Sequence, residues 1–450
     1  MIKILHLSDT HIGSGFQHGT INPATGLNTR LEDFVRTLSR CIDRAIGHCA
    51  DAENSEPVDL VLFSGDAFPD ATPPPYVQEA FASQFRRLVD AQIPTVLLVG
   101  NHDQHSQGQG GASLSIYRTL GVPGFIVGDV IATYRIQTRN GPVQVITLPW
   151  LTRATLLTRP ETENLSLAEI NKLLIDRLQP TLEAEIRRLD PEVPTVLLGH
   201  LMADNANLGA ERFLAVGKGF TIPLSLLTRP CFDYVALGHV HRHQNLNKSN
   251  DPPVIYPGSI ERVDFSEEKE DKGFVLIQLE RGSAEWEFCP LPVRTFRTID
   301  VDVSKADDPQ AVLLKAIGKK DITEAVVRLI YKLRSDQLDL IDTASIHKSL
   351  SIAHTYTIQA ELVSQLARPR LPELGSGASI DPMEALKTYL DNREDLKDIA
   401  GSMLDAAQRL LADEEEAWSE SLGVEDEEKT GNNRHSPLPI GRLDGQLRLL

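Results

Sequence analysis

Several apolar segments of this sequence end in short motifs of aspartate, asparagine and histidine. In the segment LLVGNHD (97–103), a run fit for a buried strand stops at Gly100 and is followed at once by Asn101, His102 and Asp103. Five segments share the pattern, and their terminal motifs are Asp9-Thr10-His11, Gly65-Asp66, Gly100 to Asp103, Gly199-His200 and Gly238-His239-Val240-His241. Because ligands bind beyond the carboxyl ends of strands in open α/β sheets, we expect these motifs to meet at one edge of the sheet structure.

The order of strands and helices indicates an α/β fold. Apolar runs such as VDLVLF (58–63) alternate with helical patterns such as LEDFVRTLSRCIDRA (31–45), and continuous apolar strands predict sheets that are covered on both faces. From residue 292, three strands and two helices predict a small second domain. The expected division is 1–290 for the α/β domain, 292–366 for the small domain, 367–380 for a linker rich in Pro, Gly and Ser, 381–415 for a helical segment, and 416–450 for a disordered tail.

Composition restricts how these motifs can be interpreted. The 450 residues carry 45 Lys and Arg against 63 Asp and Glu, a net charge of −18, which argues against a long phosphate-binding surface. For a nucleic-acid ligand, bound cations or a partner protein would have to supply positive charge. The four cysteines show neither CxxC spacing nor the density of a disulfide scaffold. No apolar stretch is long enough to span a bilayer, and we expect a cytoplasmic protein.

The donor groups in the five motifs predict a site for two metal ions. Seven side chains are suitable ligands: Asp9, His11, Asp66, Asn101, His200, His239 and His241. Seven donors are too many for one ion with an open position, whereas two ions could share Asp66. One ion would then be held by Asp9, His11, Asp66 and His241, and the other by Asp66, Asn101, His200 and His239. Imidazole and oxygen donors without thiolate favour Mn²⁺, Fe or Zn²⁺, and two ions about 3.5–4 Å apart suit displacement at phosphorus.

His102 follows a candidate ligand but is not needed as one. As an imidazolium it could stabilise the transition state of hydrolysis or protonate the leaving oxygen. Either Asp103 or Asp70 could orient its ring, and the sequence does not choose between them. His243 lies close to His241, but the GHxH spacing favours His239 and His241 as the ligands.

The five motifs in this order resemble the calcineurin-like metallophosphoesterase superfamily. The segments YPGSIERVDFSEEKEDKGFVLI (256–277) and VVRLIYKLRSDQLDLID (326–342) are similar to those of its double-strand-break repair nucleases. This resemblance implies a four-layer α/β/β/α sandwich with a small α+β capping domain and a C-terminal helical segment. It also implies an Mn²⁺-dependent DNA nuclease of repair, replication and recombination, with 3′→5′ exonuclease activity on duplex ends and endonuclease activity on single strands and hairpins. The family's metal ligands map onto the seven residues above, and its catalytic histidine maps onto His102.

The resemblance further implies partners. These are DNA, a second copy of this chain bound through the nuclease domain, and two copies of a coiled-coil ATPase. The segment 381–415 matches the place where the family docks a helix against the ATPase. Asp381, Pro382 and Glu384 predict a helix start, and one helical face carries Leu396, Ile399, Met403, Ala407 and Leu410. A helix packed on its own domain is the alternative. A partner with its own DNA contacts would reconcile the negative charge with a DNA substrate.

Two departures from the family pattern and two other functions stay open. The segment 14–33 is longer than the family's loop and could gate DNA entry or decorate the rim, and Pro69 leaves the role of Asp70 open. A metallophosphoesterase acting on small nucleotides or phosphoproteins would share the metal core, although the GNHE motif and the early arginine of protein phosphatases are absent. A non-catalytic scaffold would have lost ligands, whereas every ligand position is filled here.

Overall fold

The computed structural model describes residues 1–48, 56–104, 112–151, 165–207, 221–249, 251–363, 382–391, 396 and 399–409. The chain divides into two compact units, Met1–Val363 and Ser364–Leu450. The predicted linker 367–380 and tail 416–450 lie outside the described residues. Within the described part of the chain, no helix combines the length and apolar character needed to cross a membrane.

The strands of the first unit are distributed along most of its described length, with helices between them. They are β1 (Ile2–Leu7), β2 (Leu60–Phe63), β3 (Thr95–Leu98), β4 (Phe125–Gly128), β5 (Ala132–Thr138), β6 (Gly141–Leu148), β7 (Thr195–His200), β8 (Met202–Ala203), β9 (Thr221–Ile222), β10 (Tyr234–Gly238), β11 (Gln244–Asn245), β12 (Val254–Tyr256), β13 (Gly273–Glu280), β14 (Ser283–Pro290), β15 (Phe296–Asp302), β16 (Val326–Leu333) and β17 (Thr355–Leu362). The helices are α1 (Thr29–Ala45), α2 (Pro75–Asp90), α3 (Ser115–Thr119), α4 (Leu167–Ile186), α5 (Leu224–Leu227), α6 (Pro309–Gly318) and α7 (Thr343–Leu350). The second unit contributes α8 (Pro382–Asp391).

Two six-stranded sheets form the larger part of the first unit. The first has the order β14-β13-β1-β2-β3-β4 and the second the order β11-β12-β10-β7-β6-β5. The strands that precede the predicted motifs are parallel neighbours, β1, β2 and β3 in the first sheet and β7 and β10 in the second. Their carboxyl ends therefore lie at the same edge of each sheet.

Three apolar clusters hold the sheets and helices in four layers. Between the two sheets, Ile4 and Leu62 of the first pack with Val196 and Ala236 of the second. On the outer face of the first sheet lie α1 and α2, whose buried residues include Phe34, Phe81 and Phe85. On the outer face of the second sheet lies α4, through Ile170, Leu174, Leu178 and Leu182. The predicted α/β/β/α fold class is confirmed.

Two arginine–aspartate pairs fasten the sheets at the end opposite the motifs. Arg281, in the turn between β13 and β14 of the first sheet, donates to Asp233 at 2.6 Å, just before β10 of the second sheet. Arg139, in the turn between β5 and β6 of the second sheet, reaches Asp59 at 3.4 Å, just before β2 of the first sheet. Each sheet thus supplies one hairpin arginine to an aspartate of the other.

A small parallel sheet, β15-β16-β17, completes the first unit. Helices α6 and α7 pack on one face through Leu313, Ile317, Ile346 and Leu350. The three strands and two helices predicted here are present. Arg294, on the connection from β14, places its guanidinium on Asp33 of α1, with 2.8 Å between Nη2 and Oδ1, and donates to the carbonyl of Glu324 at 2.9 Å.

The segment 14–33 connects the first motif to this small sheet. The backbone N–H of Ser14 donates to the His11 carbonyl at 2.9 Å, and the carbonyl of His18 accepts from Thr355 Oγ1 at 2.8 Å. The His18 ring packs edge-on against Phe265 and Phe296. Asn28 caps α1 by accepting the N–H of Arg30. The segment therefore packs between the sandwich and the small sheet.

Replacing Asp233 by alanine should lower the free energy of unfolding by about 2–4 kcal/mol. Asp233 is buried and accepts the backbone N–H groups of Thr195 and Gly282 as well as Arg281, so its loss leaves buried donors unpaired. Urea unfolding followed by circular dichroism measures the change. Asp90→Ala is the control, because the Asp90–Arg86 pair is exposed and worth less than about 1 kcal/mol. Equal losses for both variants would contradict the prediction.

Candidate active site

Five strand ends bring the predicted motifs together. Asp9 and His11 follow β1, Asp66 follows β2, Asn101 and His102 follow β3, His200 ends β7, and His239 and His241 follow β10. The sheets face each other, so the ends of three strands from one sheet meet those of two strands from the other. All seven predicted ligand residues lie in the resulting cluster.

The donor atoms fall into two groups of three. Asp9, His11 and His241 form the first group, and Asp66, His200 and His239 form the second, with the ligand atoms of each group within 4.8 Å of one another. We call them cluster 1 and cluster 2. In cluster 1, the Nε2 atoms of His11 and His241 are 3.0 Å apart.

Asp66 and Asn101 connect to these groups at short range. Asp66 Oδ2 lies 3.4 Å from His200 Nε2 and 3.7 Å from His11 Nε2, so it stands between the clusters. Asn101 Oδ1 is 2.9 Å from both His200 Nε2 and His239 Nδ1. The carboxylate of Asp9 accepts the backbone N–H of His239 at 3.1 Å.

The hydrogen bonds behind the rings aim lone pairs into the cluster. His200 Nδ1 lies 2.7 Å from the Ser64 carbonyl, which can only accept, so Nδ1 carries the hydrogen. In the same way, His241 Nδ1 lies 2.7 Å from Glu267 Oε1. In their neutral form, rings held in this way present Nε2 as an acceptor beside carboxylate and amide oxygens. Such a convergence of acceptors fits divalent cations.

The backbone is strained at four of these residues. Asp9, His11, Asp66 and His239 have φ values of 50°, 39°, 59° and 101°. Non-glycine residues rarely adopt such values, which cost about 1–3 kcal/mol each and concentrate at functional sites. The strain turns each side chain sharply out of its strand end and into the cluster.

Two glycines are required by close approach. A Cβ on Gly100 would lie 2.1 Å from Asp66 Oδ1, and one on Gly65, whose φ is 100°, would lie 2.4 Å from His200 Nδ1. Any side chain at either position would push a candidate ligand away. This explains why glycine precedes these motif residues in the sequence.

Burial and neighbouring charges set the protonation of the metal-free cluster. Burial opposes charge on His200, but the adjacent Asp66 outweighs it and raises the pKa of His200 to about 9. Burial alone would raise the pKa of Asp66, whereas His200 holds it well below its usual range. Burial raises the pKa of Asp9 to about 6. Burial, with His200 nearby, lowers the pKa of His239 to about 3. In the metal-free cluster, protons bound to candidate ligand residues therefore take positions that a cation would otherwise occupy.

Neither of the two aspartates considered for His102 orients its ring. His102 Nδ1 lies 2.7 Å from the carbonyl of Pro69, which can only accept, so Nδ1 carries the hydrogen. Asp70 instead accepts from the backbone and hydroxyl of Thr72. Asp103 is buried and accepts the N–H groups of Asp66, Ala67 and Gly100 at 2.9–3.1 Å. The ring of His102 is therefore oriented by a backbone carbonyl and not by either carboxylate side chain.

Sequence reasoning missed two residues that contact the candidate ligands. Glu267 lies within the segment 256–277, but nothing in its spacing from His241 signalled a contact. Trp150, just after β6, packs against the His239 ring with 4.8 Å between ring centroids.

His243 is directed away from the cluster, since its ring stacks on Phe288 and Nδ1 lies 2.9 Å from the Tyr256 carbonyl.

Comparison with known proteins identifies the class. The family model of the calcineurin-like phosphoesterases matches residues 2–243, more than half of the chain. The chain belongs to this family, so it is a hydrolase of a family that uses divalent metal ions. The resemblance inferred from the motifs is confirmed.

A more particular similarity is to SbcD, the nuclease subunit of SbcCD, from Staphylococcus epidermidis. The two sequences are 24% identical over 310 residues, covering 67% of this chain and 73% of the relative. Among solved structures, the phosphopantetheinyl hydrolase PptH of Mycobacterium tuberculosis matches with a TM-score of 0.34 and 12% identity, covering 57% of this chain and 88% of PptH.

Metal uptake by the metal-free protein should release protons and weaken as the pH falls. Below pH 9 a cation at cluster 2 must displace the proton of His200, so the apparent affinity of that cluster for Mn²⁺ should fall by about tenfold per pH unit. Below about pH 6, protonation of Asp9 should weaken Mn²⁺ binding at cluster 1 as well. Calorimetric titration at pH 7.5 in buffers of different ionisation enthalpy measures the released protons. Identical binding enthalpies in all buffers would contradict this.

Proposed function

We propose that this chain is the nuclease subunit of an SbcCD-type complex and hydrolyses DNA phosphodiesters with two Mn²⁺ ions. The observation that carries the proposal is the pair of facing ligand clusters with Asp66 between them and His102 at their rim. The similarity to a curated nuclease over 67% of the chain supports a nucleic-acid substrate. The expected activities are 3′→5′ exonuclease on duplex ends and endonuclease on single strands and hairpins, in cytoplasmic DNA repair, replication and recombination.

Seven residues would hold the two ions. Cluster 1 and Asp66 would bind one ion, and cluster 2 with Asn101 would bind the other. Two divalent ions bound in this way supply positive charge to phosphoryl oxygens and lower the pKa of water. The chain contributes the fixed positions of the donors, since the strained backbone and the hydrogen bonds behind the rings restrict their movement.

His102 is placed to act as the proton donor. Its ring is half-buried, and its Nδ1 hydrogen is held by the Pro69 carbonyl, so Nε2 is the atom that can gain and lose a proton. Its backbone N–H donates to Asp66 Oδ1 at 2.9 Å, which fixes it beside the candidate ligand shared by both clusters. In hydrolysis, water adds to phosphorus and the phosphorus–oxygen bond to the leaving strand breaks. A proton from His102 Nε2 would neutralise that leaving oxygen.

The proposal predicts Mn²⁺-dependent cleavage of duplex and hairpin DNA that is lost on His102→Ala. Removing a general acid costs about 10²–10⁴-fold in kcat. The manganese content should stay near that of the unchanged chain, because His102 is not among the proposed ligands. Labelled-DNA assays and elemental analysis of the same samples measure both quantities. His243→Ala is the matched control, since His243 is also a half-buried histidine near the GHxH motif but is directed away from the clusters.

A small-nucleotide phosphoesterase is the second candidate, and the net charge of −18 favours it. The two candidates differ in substrate, so a mononucleotide phosphodiester is assayed beside the DNA, with and without the ATPase partner. Hydrolysis of the mononucleotide diester without any cleavage of DNA would replace the nuclease proposal. Full nuclease rate in His102→Ala would refute the role given to that residue.

The helical segment 381–415 is proposed to bind the coiled-coil ATPase of the SbcC type. In the described part, α8 begins at Pro382, as the sequence predicted, and residues 400–409 are also helical. Ile399 and Met403 are 50% and 37% exposed and lie four residues apart, so they present an apolar pair to solvent. We further propose that residues 292–366 form the capping domain and that two nuclease subunits and two ATPase subunits assemble, with the nuclease domains dimerised.

Charging this apolar pair should break ATPase binding. Ile399→Glu with Met403→Glu should weaken binding of the ATPase by at least about tenfold, as expected for central apolar contacts. Calorimetry with the purified ATPase measures the affinity. The matched control is Leu120→Glu, which charges an exposed apolar residue of the first unit. Unchanged affinity in the double variant would show that the segment does not bind the partner through this face.

A further inference from the structure

Glu267 holds the His241 ring from behind. Its Oε1 lies 2.7 Å from His241 Nδ1, and its Oε2 accepts the backbone N–H of Val263 at 3.0 Å. The residue is 2% exposed. A buried carboxylate that accepts from Nδ1 fixes the tautomer, keeps Nε2 as the donor atom and makes that atom more basic.

A buried lysine keeps this carboxylate charged. Lys272 Nζ lies 2.9 Å from Glu267 Oε2 and donates to the His241 carbonyl at 3.1 Å. An ammonium group in direct contact with a buried carboxylate stabilises its charged form. Glu270 also pairs with Lys272, at 2.8 Å, so the lysine has a second carboxylate that does not act through the His241 ring.

The surrounding loop holds the backbone of Glu267 in place. Asp264 caps the short 3-10 helix Phe265–Glu267 by accepting the N–H of Ser266. Arg262 donates to three backbone carbonyls, those of Glu267, Glu270 and Arg294, at 2.8–3.1 Å. A loop fixed in this way delivers the carboxylate to one position.

Cluster 2 has no equivalent carboxylate among the described residues. His200 Nδ1 is held by the Ser64 carbonyl, a neutral acceptor. His239 directs Nδ1 toward Asn101, and its Nε2 is buried without a hydrogen-bond partner. The two clusters therefore differ in the charge that supports their imidazoles.

From this difference we infer that Glu267 is a positioning residue that strengthens metal binding at cluster 1 selectively. The inference rests on the proposed two-metal function and deepens it, since it predicts two unequal metal sites and names the residue that makes them so. Support by a charged carboxylate should raise the affinity of cluster 1 about 10–100-fold above that of the same ligands without it.

The test is Glu267→Gln in the full-length chain. Glutamine keeps the size of the side chain and an oxygen for the His241 Nδ1 hydrogen, but it removes the charge. Calorimetric titration with Mn²⁺ should show one of the two sites weakened about 10–100-fold and the other unchanged. Electron paramagnetic resonance adds a second readout. At one equivalent of Mn²⁺, the unchanged chain should give mainly the signal of isolated ions at cluster 1, whereas the variant, whose sites are closer in affinity, should show a larger share of the spin-coupled signal.

Two further variants separate positioning from a structural role. Glu270→Gln removes the other carboxylate on Lys272 without touching His241, and it should leave both sites unchanged. The double variant Glu267→Gln with Lys272→Met removes both buried charges. If Glu267→Gln loses affinity only because it leaves a buried lysine unpaired, the double variant should regain that affinity. If positioning is the role, cluster 1 stays weak in this double variant.

The outcomes that overturn the inference are specific. They are equal weakening of both sites in Glu267→Gln, no weakening of either, the same loss in Glu270→Gln, or recovery of affinity in the double variant. If Glu267→Gln does not fold, the Mn²⁺ affinity of cluster 1 in the double variant decides whether the inference holds. An unchanged chain that binds fewer than two Mn²⁺ ions overturns the proposed function itself, and the inference with it.

Discussion

The structure depends on a cluster of buried acceptor atoms that face one another. Asp9, Asp66 and His200 are at most 1% exposed, and their oxygen and nitrogen atoms converge with those of the other histidines. Acceptors cannot bond to one another, and burial penalises their charge, so the cluster is stable only with protons or cations among them. The raised pKa of His200 is the physical sign of that requirement in the metal-free chain.

The rest of the sandwich keeps this unfavourable arrangement in place. Asp103 gathers three backbone N–H groups at the turns after β2 and β3, which fixes the strand ends that carry Asp66 and Asn101. At the opposite end, Arg281 and Arg139 each tie one sheet to the other. Both ends of the strands are held by these contacts. The favourable packing free energy of the apolar layers between them can therefore offset the cost of the strained backbone at the four residues with positive φ.

Much of the site could be predicted because each ligand directly follows an apolar strand. The contacts behind the ligands could not be predicted in this way. The Pro69 carbonyl that holds His102 has no side-chain signature, and Glu267 is 26 residues from the His241 ring that it contacts. The sequence patterns also did not predict the four edge strands of the two large sheets, β4, β5, β11 and β14. The pattern of β14 alternates between exposed and half-buried residues, so it lacks the continuous apolar run that marked the central strands.

The segment 14–33 shows how the fold links the candidate site to the small sheet. It starts at the turn that presents His11, packs His18 between Phe265 and Phe296, and ends in α1, where Asp33 pairs with Arg294. Thr29, at the start of α1, also contacts His354 at 2.7 Å. A movement of the small sheet relative to the sandwich would have to break these contacts. The segment that makes them begins shortly after the first motif. The segment 14–33 therefore joins the two parts of the first unit through non-covalent contacts, in addition to the covalent connection at Arg294.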